Sequence, residues 1–287
     1  MTKRICSIDT CPDPVYCRGW CRAHYARWQR NGDPEGGRYT YALDQNYFDS
    51  IDTEAKAYWL GFITADGCVA AGPVGANGWQ RNQLSVKLKA SDAGHLEKLK
   101  SAMSAASPVR FLQIGKSSAA AEIAVTSEHL VQSLIRLGVT PRKSLTVEPW
   151  VGPDELMRHY WRGLIDGDGT LVRHAGERDK WRITLLGTRP VVEGFRQWAA
   201  PLCGSAAESH PKNNIWSWTI GGLAAPQSVA RELYGDATVF LDRKHVLARQ
   251  LMAVPARHRS RCGEAAGITP SRTRAARPPK TPGSNAA

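Results

Sequence analysis

Trp59-Leu60-Gly61-Phe62-Ile63-Thr64-Ala65-Asp66-Gly67 and, 102 positions later, Trp161-Arg162-Gly163-Leu164-Ile165-Asp166-Gly167-Asp168-Gly169 are two versions of one nonapeptide. Each closes a mainly apolar run with an aspartate before glycine, so the chain offers a matched pair of carboxylates, Asp66 and Asp168. Within each word small residues recur four apart, Gly61 with Ala65 and Gly163 with Gly167. That spacing puts both on one helical face and removes the bulk that would hold a facing helix away. Two such helices can meet along their small faces and align their ends, with Trp59, Phe62, Trp161, Leu164 and Ile165 turned into the cores of two halves. The aligned ends carry partial negative charge and two carboxylates, which is unfavourable unless a cation or a proton joins them. Hard divalent ions take such oxygen ligands, so the pair suits Mg²⁺ or Mn²⁺ better than zinc; two structural helix caps without metal are the alternative.

The surroundings of the two words repeat as well. A helix from Glu54 carries the first word, and a short strand at Cys68 to Ala70 and a glycine-rich turn follow. The next segment alternates, with Leu84, Val86 and Leu88 facing one way and Gln83, Ser85, Lys87 and Lys89 the other. A helix near Ala93 to Met103, strands around Val109 to Ile114 and Ala120 to Val125, and a helix from Glu128 to Leu137 complete this half. The second half restarts at Pro153 with a helix to Asp168, the strand TLVRH containing Arg173, and an alternating segment in which Trp181, Ile183 and Leu185 oppose Lys180, Arg182 and Thr184. Helical and strand-like pieces lead to Trp218 and Ile220, and a helix spans Ala225 to Leu233. Five segments result: a module at 1–38, a tether at 39–52, halves at 53–151 and 152–252, and a tail at 253–287. The tail carries seven basic residues, Arg257 to Lys280, against Glu264 alone, and reads as a disordered basic arm.

The 287 residues carry a net charge of +12 spread along the chain, which favours a polyanionic partner such as nucleic acid. No apolar run suits a membrane span and no secretory leader is evident, so the expected location is the cytoplasm of a bacterial or phage-infected cell. Four of seven cysteines fall at Cys6, Cys11, Cys17 and Cys21, with His24 close behind. Clustering at one end does not fit a disulfide framework, whereas a segment this short needs a staple such as Zn²⁺. Five candidates compete for four places. Cys6, Cys11, Cys21 and His24 are favoured because Cys21 and His24 lie three apart at the start of a helix; Cys17 is spare or an alternative ligand. The same helix carries Arg22 and Arg27 among Tyr25 and Trp28, cations for a phosphate backbone and rings that either pack the small core or stack on bases.

In these words the chain resembles the LAGLIDADG homing endonucleases in their single-chain, two-motif form, and the resemblance covers residues 53–250. It implies an α+β, pseudo-two-fold duplicated αββαββα fold whose paired helices form the interface between halves and whose sheets make a saddle over double-stranded DNA. It further implies that Asp66 and Asp168 bind catalytic Mg²⁺ (or Mn²⁺), and that a monomer cuts both strands of a long asymmetric site to leave 3′ overhangs. The family places a basic residue beside the active site in each half, which carries over to Lys143 in LGVTPRKS and Lys244 in LYGDATVFLDRK. Base reading falls to Gln83, Ser85, Lys87 and Lys89 in one half and Arg173, Lys180, Arg182 and Thr184 in the other. Thr64 departs from the acidic word that Asp166 keeps, which points to weaker or unequal cutting of the strands. The cysteine segment, through Cys6, Cys11, Gly19, Cys21, His24, Tyr25 and Arg27, looks like a zinc-binding module attached to phage or intron-type mobile nucleases. It would add a DNA clamp through Arg22 and Arg27. Rival readings are a DNA-binding regulator that has lost cleavage, an RNA-binding splicing maturase, and a duplicated structural protein without nucleic acid.

Overall fold

The computed structural model describes residues 4–9, 11–31, 34, 41–72, 82–115, 118–174, 180–204 and 207–255. The glycine-rich turn before Asn82, most of the breaker stretch after Asn31 and the basic tail from 256 onward lie outside these residues.

At the front, isolated antiparallel bridges between Ile5 and Pro14 and between Cys17 and Trp20 precede α1 (Arg22–Asn31). The first half then runs α2 (Glu54–Asp66), β1 (Gly67–Ala71), β2 (Asn82–Lys89), α3 (Ala93–Ala102), β3 (Arg110–Ile114), β4 (Ser118–Thr126) and α4 (Glu128–Arg136). The second runs α5 (Asp154–Gly167), β5 (Gly169–Arg173), β6 (Trp181–Gly187), α6 (Arg189–Cys203), β7 (His210–Lys212), β8 (Ile215–Gly222) and α7 (Ala224–Tyr234), and adds α8 (Asp242–Ala253). Each half is therefore an αββαββα unit. Both sheets are antiparallel with the same strand order, β1-β2-β4-β3 and β5-β6-β8-β7.

Local chemistry sets the element starts. Thr53 accepts the Lys56 N–H at 3.3 Å to open α2, Ser127 accepts that of Leu130 at 3.2 Å to open α4, and Thr188 accepts that of Val191 at 3.4 Å to open α6. The alternation expected in β2 and β6 is present: Leu84 and Val86, and Trp181, Ile183 and Leu185, are buried against the helices, while Lys87, Lys89 and Arg182 are exposed. Trp59, Trp161, Trp181 and Trp218 are fully buried, and the apolar residues of both halves join in one cluster through α2 and α5.

The small-residue face sets the helix spacing. A Cβ on Gly61 would run into the Tyr160 carbonyl, and one on Gly163 into the Tyr58 carbonyl and, at 2.6 Å, the Phe62 nitrogen. The pair is reciprocal, each glycine receiving the backbone of the facing helix.

Two features depart from the sequence reading. The stretch 41–52, read as a tether, packs on the first half: Tyr47 and Phe48 are buried, Asp44 N–H donates to the Met103 carbonyl at 2.8 Å, and Asp49 accepts from Ser133 Oγ at 2.6 Å. The helix α8 was not anticipated, because its buried row is Lys244, Ala248 and Leu251, which begins with a cation. Among the described residues no helix is long and apolar enough to cross a membrane.

Candidate functional site

The C-terminal ends of α2 and α5 abut. A Cβ on Gly167 would lie 3.4 Å from Asp66 Oδ2, which brings Asp66 beside the residue that precedes Asp168. Burial, and then the neighbouring Asp168 charge, push the Asp66 carboxyl up to about 6, against the pull of Lys244 and Lys143. Burial also raises Asp168, with the same two lysines opposing it, although this residue opens to solvent. The two carboxylates and two ammonium groups predicted from separate parts of the sequence thus share one electrostatic site.

The lysines come from equivalent places. Lys143 follows α4 in a turn where Arg142 adopts φ +60°, and its Nζ donates to the Ala65 carbonyl at 3.1 Å. Lys244 sits in the first turn of α8 and donates to the carbonyls of Ile165 at 2.5 Å, Asp166 at 2.6 Å and Gly169 at 2.7 Å. Each therefore satisfies carbonyls left open at the end of a motif helix and offsets its negative pole. Burial lowers both, Lys244 to about 8, while the aspartates hold them up. They are not equal, however. Three close carbonyls fill the donors of Lys244, whereas Lys143 has one and lines a cavity of about 270 Å³ together with Thr64, Ser144 and Asp168.

Behind the aspartates lies a polar network that the sequence reading missed. Asp166 is fully buried and accepts from Tyr58 Oη, Tyr234 Oη and the Leu241 N–H, each at 2.7 Å. Arg162, also fully buried, donates to Glu54 at 2.6 Å, to the Val239 and Leu233 carbonyls at 2.9 Å each, and contacts His159 Nδ1 at 3.0 Å. Burial raises Asp166, against Lys244 and its hydrogen-bond donors. In the other direction Tyr160 reaches Thr64, whose Oγ1 donates to the Leu60 carbonyl at 2.7 Å. One signal was available: Tyr58 and Tyr160 stand directly before each nonapeptide, so the repeat is ten residues long and the tyrosines cross to the opposite helix.

On the outer sheet faces, Gln83, Ser85, Lys87 and Lys89 share one side of β2, with Lys87 3.6 Å from Glu122 across the strand pair. Arg182 and Thr184 share one side of β6, with Lys180 exposed immediately before the strand, and Thr184 is hydrogen-bonded to Thr219 at 2.9 Å. Arg173 alternates away from them: it shares its side of β5 with buried Leu171, at the exposed strand end opposite Trp181.

In the front module Cys6, Cys11, Cys21 and His24 bring their ligand atoms within 4.8 Å of one another. Cys6 Sγ and Cys21 Sγ lie 3.3 and 3.2 Å from His24 Nδ1, and Cys11 Sγ is 3.9 Å from Cys21 Sγ. A zinc tetrahedron with Zn–S near 2.3 Å has edges of roughly 3.8 Å, so this Cys₃His set fits that metal. Burial raises the Cys6 thiol, but the backbone groups of Ile8 and Cys21 and the His24 ring bring it down to about 7, toward the thiolate that a metal needs. Cys17 stands apart, hydrogen-bonded to the Tyr25 hydroxyl. Arg22 is exposed and Arg27 half-buried on α1.

No protein-family model matches the chain, and no curated protein sequence does. Among solved structures the chain is similar to the LAGLIDADG meganuclease I-AabMI bound to uncleaved DNA, with 8% identity over 70% of this chain and 89% of that one and a TM-score of 0.47. I-SmaMI, bound to an uncleaved DNA target with calcium ions, gives 12%, 70%, 91% and 0.46. I-LtrWI bound to target DNA gives 8%, 72%, 90% and 0.45.

Proposed function

We propose that the protein is a site-specific double-strand DNA endonuclease of the LAGLIDADG homing type, dependent on Mg²⁺ or Mn²⁺. The observation that carries this reading is the meeting of Asp66 and Asp168 at two abutting helix ends, with an ammonium group beside each. The donor set fits a hard divalent ion: two carboxylates that repel one another in a place already negative. Asp66 and Asp168 would hold it, and when bound it would polarise the scissile phosphate and lower the pKa of attacking water. The chain's own groups do the rest. Lys143, with donors to spare at the edge of an open cavity, offsets charge developing on the phosphate oxygens. Gln83, Ser85, Lys87 and Lys89 on one sheet and Lys180, Arg182 and Thr184 on the other face the major groove, where long polar side chains discriminate base edges. Arg173 contacts backbone instead. The Cys₃His cluster would hold Zn²⁺, which would staple the front module, and from that module Arg22 and Arg27 touch phosphates. The single chain supplies both half-sites, so it works as a monomer on an asymmetric site.

The test is cleavage of a plasmid library with Mg²⁺, followed by sequencing of the new ends. Double-strand cuts at one long asymmetric site with 3′ overhangs are expected, and Asp66→Asn or Asp168→Asn should abolish them while leaving binding intact. Unimpaired cutting by both variants would defeat the assigned roles. Tight binding without cutting under any divalent metal would move the protein to the regulator reading, and preference for intron RNA to the splicing one.

A further inference from the structure

The front module carries a surface that neither metal binding nor phosphate contact explains. Four rings stand in a row: Tyr16 and Tyr25, Tyr25 and Trp28, and Trp28 and Trp20 each have centroids 5.7 Å apart. Arginines lie over two of the rings, Arg18 Cζ at 4.2 Å from the interior Trp28 ring and Arg22 Cζ at 6.0 Å from the terminal Tyr16 ring. Tyr16 ends the row 62% exposed. Beside it runs an open groove of about 610 Å³ whose walls include Pro14, Val15, Tyr16, Ala23 and Ala26, with Asp13 and Arg22 also lining it.

An apolar groove of this size on so small a unit marks a binding surface. The groove itself is lined by one cation, Arg22, and one acid, Asp13, while the module around it adds exposed Arg4 and Arg18 and half-buried Arg27 against Asp9. This basic surround makes a purely apolar partner a poor match and an anionic one a better match. A ligand that is anionic along one side and flat and apolar along the other satisfies both demands. Single-stranded nucleic acid has that form, because its unpaired bases present π-faces and its backbone presents phosphates. A duplex does not, since its base faces are already stacked on one another.

We infer that the groove at Tyr16 takes an unpaired base of single-stranded nucleic acid, stacked on the Tyr16 ring while Arg22 meets the adjoining phosphate. The site is separate from Asp66 and Asp168, and it does not rest on the cleavage proposal.

The experiment uses the full, zinc-loaded chain and fluorescence anisotropy at physiological salt. The probes are a short labelled oligothymidine and an abasic strand with the same number of phosphates. Wild type should prefer the thymidine strand, and Tyr16→Ala should weaken that binding by roughly 5- to 150-fold, the range of one lost stacked base, without changing binding of the abasic strand. Tyr16→Phe, which keeps the ring face, should retain the preference. Tyr16→Leu, which keeps apolar bulk but no ring face, should lose it with zinc content unchanged. Equal affinity for the thymidine and abasic strands would overturn the inference, as would undiminished preference in Tyr16→Leu or competition by duplex as effective as by single strand. Each readout is binding without added Mg²⁺ or Mn²⁺, so loss of nuclease activity cannot be mistaken for failure at this site.

Discussion

Gly163 carries more of the architecture than any side chain near it, because its missing methyl is where the Tyr58 backbone passes. Gly163→Ala should cost about 3 kcal/mol in urea unfolding, since neither backbone can yield without separating the helices. Gly94→Ala, in α3 with open space around the new methyl, should be neutral or stabilising by up to about 1 kcal/mol. A second single-residue effect concerns acid. His95 is buried, its Nε2 faces the Tyr58 hydroxyl at 3.0 Å, its Nδ1 has no partner among the described residues, and burial lowers its pKa to about 3. The unfolded chain therefore binds a proton near pH 6.5 that the folded chain refuses until about pH 3. Stability from this group is complete above pH 6.5 and is lost as pH falls below it. Between neutrality and pH 4.5 wild type should lose roughly 2–3 kcal/mol more than His95→Gln in paired urea titrations, the difference removing contributions common to both proteins, Asp66 included. If both lose the same amount, His95 is not held neutral.

At the scale of elements, the proposed function divides the two lysines that close the motif helices between support and chemistry. Lys244→Met strips three close acceptors of their donor and should lower the melting temperature by several degrees. Lys143→Met removes a single carbonyl contact, so its stability should change little while strand cleavage, measured on a doubly end-labelled target, falls sharply. Reversal of this pattern would reassign the two roles. Much of this layer was legible in the chain: the period-two alternation of β2 and β6, and the glycine spacing of α2 and α5, act through local geometry that any copy of the pattern would show. Three parts were hidden for physical reasons. Arg162 stands in a motif helix where charge normally signals solvent, and only the distant carbonyls of Leu233 and Val239 and the carboxylate of Glu54 make its burial possible. The helix α8 buries a lysine at its start, which breaks the apolar stripe that would have announced it. Tyr47 and Phe48 lie in a short irregular segment with no periodicity to show which surface receives them.

Across the whole molecule, the front module and the duplicated body draw stability from different sources, a Cys₃His cluster in one and an extended apolar core in the other. A strong zinc chelator should therefore remove one equivalent of metal and abolish the order of the module, while the main thermal transition of the body stays within a few degrees. Cys21→Ser or His24→Ala should reproduce this without chelator, and Cys17→Ser should keep its zinc. Retention of metal by the Cys21 and His24 variants would exclude the cluster. The division was visible in the cysteine spacing, and the three-residue step from Cys21 to His24 on a helix favoured the four residues that cluster, but spacing alone left Cys17 as an alternative because it does not say that Cys17 turns toward Tyr25.

The cross-helix ion pair also makes the two halves complementary rather than interchangeable. Arg162 corresponds to Leu60 in the other repeat, and its partner Glu54 corresponds to Leu156. A homodimer built from two second halves would set each guanidinium against a leucine, and one built from two first halves would leave each glutamate without its counterion, at several kcal/mol per orphaned charge. Self-pairing of either half would therefore forfeit this ion pair, so the salt bridge favours the two halves pairing with each other over either pairing with itself, and shuffling experiments that exchange one repeat should carry positions 54 and 162 as a unit.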